Sequence, residues 1–204
     1  MARPRAFSEE HVLEQAMYQF WRGGFCGTSI VDLEKSTGLS RISLYNAFGG
    51  KDSLFLLALQ MYRDRAETFF KDPEFASGGL ESVRSLFESL STRLPKDAPE
   101  QYGCMMLNTI LDIDVVTDEA RATVESCRCT MIDGFSRALK TASDKGIARA
   151  SRKEIRERAE FLVGAMWGIR ITSRLKGDVA AVKGATRTVV QVIGSWRTVP
   201  SSSR

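Results

Sequence analysis

The chain has 204 residues, 43% of them hydrophobic and 26% charged, with a net charge of +4. That apolar content supplies a sizeable core and excludes a disordered chain, while the longest stretch free of Asp, Glu, Lys and Arg, 101–111, is about half the roughly 20 residues of a membrane span. Four cysteines (Cys26, Cys104, Cys127, Cys129) spread over this length do not make a disulfide framework, and the stretch after Arg3 and Arg5 turns acidic at Glu9 and Glu10 without the apolar core of a secretory signal, so a cytoplasmic protein is expected.

Leu13, Ala16, Met17 and Phe20 follow the i, i+3, i+4, i+7 spacing of one helix face, with Ser8 as N-cap and Gly23-Gly24 as the stop. Thr28 is read as the cap of a second, short helix that turns Ile30 and Leu33 inward and ends at Gly38. Ser40 caps a third, whose buried face carries Leu44 and Phe48. Lys51 to about Phe70 reads as a longer fourth helix closed by Asp72-Pro73, and further helices are expected over 79–94, 102–114 and 117–143. No alternating β-branched run occurs between turn signals, so the chain reads as all-α, with about nine helices.

The last two helices differ from the rest. From Ile155, the residues Ala159, Leu162, Met166, Ile169 and Ser173 form one stripe, and Phe161, Gly164, Gly168 and Ile171 form a second on another face. Over 178–198, Val182, Ala185, Val189, Val192 and Trp196 step by three and four, the seam of a helix packed on a near-antiparallel neighbour. One face can serve the chain's own core and the other a second subunit, which makes Phe161, Gly164, Gly168, Ile171, Val182, Ala185, Val189, Val192 and Trp196 the candidate dimer interface. Charge follows a different map. Residues 1–50 carry five basic and five acidic residues, 51–136 nine and fifteen, and 137–204 fifteen and five. In the basic third, Lys and Arg alternate with apolar positions, the pattern of a solvated helix face.

Residues 28–46 combine a short helix, a glycine turn and a second short helix, the layout of a helix-turn-helix whose second helix enters a DNA major groove. After Ser40, that helix turns Arg41, Ile42, Ser43, Tyr45 and Asn46 away from the Leu44/Phe48 face. The set offers a guanidinium, hydroxyls, an amide and an apolar tip, suited to bases and phosphates. Free N–H groups at helix starts near Thr28, Ser29 and Lys51 suit phosphates, and Arg3 with Arg5 makes a basic arm for a minor groove.

The stretch GFCGTSIVDLEKSTGLSRISLYNAFGGKDSLF resembles the DNA-binding domain of the TetR (tetracycline-repressor) family of bacterial transcriptional regulators, the likeness covering 7–60. By that resemblance Thr28, Ser29, Tyr45 and Lys51 contact phosphates, while Arg41, Ile42, Ser43 and Asn46 face the bases. Two positions depart from the family pattern: Ile42, where a small residue is usual, and Gly50, where Ser or Asp often caps the next helix. The resemblance implies a homodimer joined by the last two helices, on a palindromic DNA operator, released by a small-molecule effector. The domains are then 1–50, a helix-turn-helix with its arm; 51–198, for effector binding and dimerisation; and a tail, 199–204.

Met61, Tyr62, Arg65, Phe69, Phe87, Tyr102, Met105, Met106, Asn108, Met131, Phe135, Trp167 and Arg170 are the candidate cavity residues, because adaptable Met and aromatic walls with a few polar groups suit a small apolar effector. A dimeric helical scaffold for protein partners and a thiol-based redox regulator are the alternatives. The single histidine, His11, the absence of a nucleophile elbow or phosphate loop, and the lack of any metal-spaced ligand set predict no enzyme, no cofactor and no metal.

Overall fold

The computed structural model describes residues 8–91, 102–174 and 179–198. These form ten α-helices and no strand: α1 (Glu9–Gly23), α2 (Ile30–Thr37), α3 (Arg41–Phe48), α4 (Lys51–Lys71), α5 (Pro73–Ser77), α6 (Leu80–Leu90), α7 (Met105–Leu111), α8 (Asp118–Asp144), α9 (Arg152–Thr172) and α10 (Val179–Ser195). The additional helix is α5, a single turn begun by Pro73 behind the Asp72 cap. Arg3, Arg5 and the 199–204 tail lie outside the described residues.

Two compact units divide the described residues, those within 1–65 and 102–126, and those within 66–101 and 127–204. In the first, α1 packs on α2 and α7, and α2 on α3. Ser8 caps α1 as its sequence requires, accepting the His11 N–H, and Gly24 ends it at φ 72°. The buried stripe of α1 is Val12, Ala16, Met17, Phe20 and Trp21, so Val12 takes the place expected of Leu13, which is half-buried. Leu33, Leu44 and Phe48 complete the trihelical core, joined by Leu54, Phe55, Ala58 and Leu59 of α4. Phe55 meets Phe20 edge-on at 5.0 Å and Phe25 at 4.9 Å. Such offset contacts between ring faces and edges add to the hydrophobic term.

In the second unit α10 packs on α6 and α9, and its buried stripe is Val182, Thr186, Val189 and Ile193. A cluster of Phe70, Phe75, Phe87 and Phe135 fills the space between α4's last turns, α5, α6 and α8, with Phe135 at 5.2 Å from Phe70 and 6.2 Å from Phe87. Ser151 caps α9 in a reciprocal box with Glu154. Ala159, Leu162, Met166 and Ile169 of that helix are buried as its spacing predicts, joined by Val163, while Ile155 and Ser173 at the ends of the expected stripe are half-buried.

Candidate nucleic-acid interface

The helix-turn-helix is held by short-range polar contacts. The cap of α2 falls on Ser29, not Thr28: Ser29 Oγ accepts the Asp32 N–H, and the Asp32 carboxylate accepts from the Ser29 N–H at 2.9 Å and hydroxyl at 2.6 Å. Thr28 turns inward instead and is fully buried, its hydroxyl donating to Gly24 O at 2.8 Å. A threonine one residue before a serine offers two candidate caps, and only Ser29 has an acid three residues on to complete the box. The Thr28 side chain therefore presents nothing to solvent. Ser29's hydroxyl and its own backbone N–H are both engaged by the Asp32 carboxylate, which these bonds hold below the usual range.

Gly38 ends α2 in the left-handed region, φ 71°, and Ser40 caps α3 by accepting the Ser43 N–H at 3.3 Å. Glu34 is not among the residues that the motif singles out, yet its carboxylate accepts the Arg41 N–H at 2.6 Å, fixing the start of α3 onto α2. A glutamate seven residues ahead of a helix start carries no sequence signal for this bond. Past the last turn of α3, Gly49 and Gly50 take φ values of 83° and 126°, which L side chains rarely adopt. Glycine at position 50 thus has a conformational reason.

α3 buries Leu44 and Phe48 and exposes Arg41, Ile42, Tyr45 and Asn46, with Ser43 half-buried. The Arg41 guanidinium lies 5.4 Å from the centre of the Tyr45 ring, and Ser43 Oγ sits 3.1 Å from Ser40 Oγ. Lys51 opens α4 with its ammonium 4.3 Å over the Phe25 ring. α3 itself contains no acidic residue, and the one carboxylate bonded at its start, Glu34, is engaged by the Arg41 N–H.

Two family models match the chain: "Bacterial regulatory proteins, tetR family" over residues 12–58, and "Tetracyclin repressor-like, C-terminal domain" over 79–189. The chain belongs to the TetR family. It is 26% identical over 180 residues to the uncharacterized HTH-type transcriptional regulator YezE of Bacillus subtilis, covering 88% of this chain and 92% of that one. It is equally similar, 26% over 178 residues, to the HTH-type transcriptional repressor ComR of Escherichia coli, with 84% and 82% covered. A cysteine mutant of the TetR family regulator CifR, solved with 26-bp double-strand operator DNA, shares the fold at a TM-score of 0.74 and 24% identity, over 93% of this chain and 98% of that one. This TetR-family chain is a DNA-binding transcriptional regulator, not an enzyme.

The remaining candidates fall in several places. On α9, Phe161, Gly164, Gly168 and Ile171 are exposed, and a side chain added at either glycine meets open space. Val182 and Val189 are instead buried within the chain on α10, which removes them from a surface that a second subunit can reach; Ala185, Val192 and Trp196 are half-buried. Heptad spacing alone does not say which neighbour a stripe covers, and here that neighbour is internal. Trp196 meets Phe161 at 6.3 Å.

Among the candidate cavity residues, Phe87, Met105, Met106, Asn108, Met131 and Phe135 are buried, Met61, Tyr62, Tyr102, Trp167 and Arg170 are half-buried, and Phe69 is exposed. Arg65 pairs with Glu14 at 2.5 Å and donates to Tyr18 Oη at 3.4 Å. The Asn108 amide donates to Trp21 O at 2.9 Å and Tyr102 O at 3.3 Å. Trp167 Nε1 is buried with no hydrogen-bond partner among the described residues. Cys26, the exposed thiol, is pushed up in pKa by desolvation and then by Asp112, a direction that disfavours the reactive thiolate.

Proposed function

We propose that this chain is a repressor that binds a palindromic operator as a homodimer and leaves it when a small-molecule effector occupies the helical part, 51–198. The observation that carries the reading is α3: eight residues, capped by Ser40, held at its start by Glu34, and offering Arg41, Ile42, Tyr45 and Asn46 outward with no acidic residue in the helix itself. Ile42, Ser43 and Asn46, with Arg41, face the bases, and Tyr45 and Lys51 take phosphates. Ser29 makes a weaker phosphate contact, because Asp32 already engages its hydroxyl and adds negative charge there. Arg3 and Arg5 supply the minor-groove arm, and Ser40 orients the helix.

The dimer reading is supported by the exposed α9 stripe of Phe161, Gly164, Gly168 and Ile171, where glycines allow a second helix to come close. Two recognition helices then meet half-sites about 34–36 Å apart on one DNA face. As polar contacts for the effector, Trp167 with its unpartnered indole N–H and Arg170 are preferred to Arg65 and Asn108, whose polar groups the protein itself occupies. A bacterial cytoplasmic location accompanies this function, and no described helix is long and apolar enough to cross a membrane.

Tyr45→Ala tests the reading against a protein-binding scaffold. Gel-shift titration is expected to show at least tenfold weaker operator binding while sedimentation still reports a dimer. Unchanged affinity would remove α3 from the interface.

A further inference from the structure

Ile42 is the one large aliphatic side chain on the outward face of α3, and it is 74% exposed. It contributes nothing to the core, and a β-branched residue on an eight-residue helix lowers helix propensity. Its neighbours are already engaged. Ser43 Oγ is within hydrogen-bond distance of Ser40 Oγ, and the Arg41 guanidinium is stacked over Tyr45. Ile42 and Asn46 are four residues apart and share one face, about 6 Å apart along the axis, a span of one or two base-pair steps.

In the major groove the bases offer mainly polar edges, and the largest apolar group among them is the C5-methyl of thymine. An isoleucine tip set against a purine N7 or a cytosine amine strips water from that group and returns no hydrogen bond. Against a methyl it buries apolar surface on both sides.

We propose that Ile42 is a specificity-determining residue that reads the C5-methyl of one thymine in each operator half-site. The inference rests on the regulator reading above and deepens it by naming the chemistry that the operator must carry under this position.

The test uses the full-length protein and duplexes enriched from a random pool. Each thymidine of the half-site is replaced in turn by deoxyuridine, which removes the methyl alone and leaves the protein untouched. Wild-type protein is expected to bind about fourfold more weakly when one particular thymidine is replaced in one half-site, and about fifteenfold when it is replaced in both. Ile42→Ala is expected to bind the thymidine duplex with a comparable loss and to show no response to deoxyuridine at that position. Enriched half-sites without thymine, or a deoxyuridine penalty that persists in Ile42→Ala, would overturn the proposal while leaving operator binding intact. A pool with no enriched duplex would overturn the regulator reading and this inference with it.

Discussion

Asp112, at the C-terminal end of α7, accepts the backbone N–H of Phe25 at 2.8 Å in the loop that follows α1. The same carboxylate oxygen accepts the Cys26 N–H at 3.3 Å and lies 2.9 Å from where a side chain at Gly24 would begin. Gly24 therefore serves twice, ending α1 at positive φ and leaving room for Asp112. Asp112→Ala takes the acceptor from the part-buried Phe25 N–H and leaves the exposed Cys26 N–H to water, and is expected to cost about 1 kcal/mol or somewhat more. Urea unfolding checks it: the midpoint falls with an unchanged slope, and Asp112→Asn, which keeps an acceptor, loses less. An alanine variant as stable as wild type would show that water replaces the carboxylate without cost.

Gly134 lies in the interior of α8, where alanine ordinarily gains about 1 kcal/mol of helix propensity. Here an added Cβ comes within 2.7 Å of Phe70 Cδ1 and 3.0 Å of its backbone oxygen. Overpacking of this kind costs about 1–3 kcal/mol, so Gly134→Ala is expected to lower the melting temperature by a few degrees despite the better helix former. A raised melting temperature would contradict the close packing of α8 on the end of α4.

How much of the fold is legible in the sequence depends on how local the cause is. Ser8, Ser40, Gly38 and the Leu44/Phe48 face are set by residues within four positions of one another, and capping rules place them correctly. Ser29 displaces Thr28 as a cap for an equally local reason, the acid three residues ahead of it. Glu34 on Arg41 and Asp112 on Phe25 are tertiary contacts between a side chain and a backbone N–H, and no periodicity announces them. The stripe on α10 is visible as a stripe, but only the packing of α6 against α10 assigns Val182 and Val189 to their own chain. Phe69, expected in a cavity wall, sits three residues from Asp72-Pro73 and is exposed.

Acid stability follows from the caps. The Asp32 carboxyl is held below its ordinary value by the Ser29 hydroxyl and N–H, so its contribution is present above the unfolded carboxyl range and is lost as pH falls through the lowered folded value. Ser29→Ala is expected to be less stable than wild type at neutral pH, with the gap closing as pH drops below about 4. Thermal unfolding of both proteins across that window checks it, and a gap independent of pH would assign the loss to the cap bond alone.

On α9, Gly168→Leu places a branched side chain where the single chain has open space. The folded monomer is expected to keep its helix content and melt cooperatively, while the dimer dissociates at concentrations at least tenfold above those of wild type. Sedimentation equilibrium reads this directly. A dimer of unchanged strength would move the interface away from the Phe161–Ile171 stripe.

Lys51, opening α4, is expected to act on phosphate alone. Lys51→Ala should weaken binding alike on different duplexes and reduce the slope of log affinity against log salt by about 1 for each phosphate that is no longer neutralised. A weakening confined to one base sequence would instead make Lys51 a base-reading residue.

Selection of bound duplexes from a random pool, with folded, effector-free protein at near-physiological salt, asks directly whether the dimer reads a palindromic operator, since nonspecific phosphate binding is suppressed there. An enriched palindrome is expected, with half-sites about one helical turn apart, matching two α3 helices related by a two-fold axis. Enrichment of no sequence by protein shown to be folded and dimeric would contradict the regulator reading.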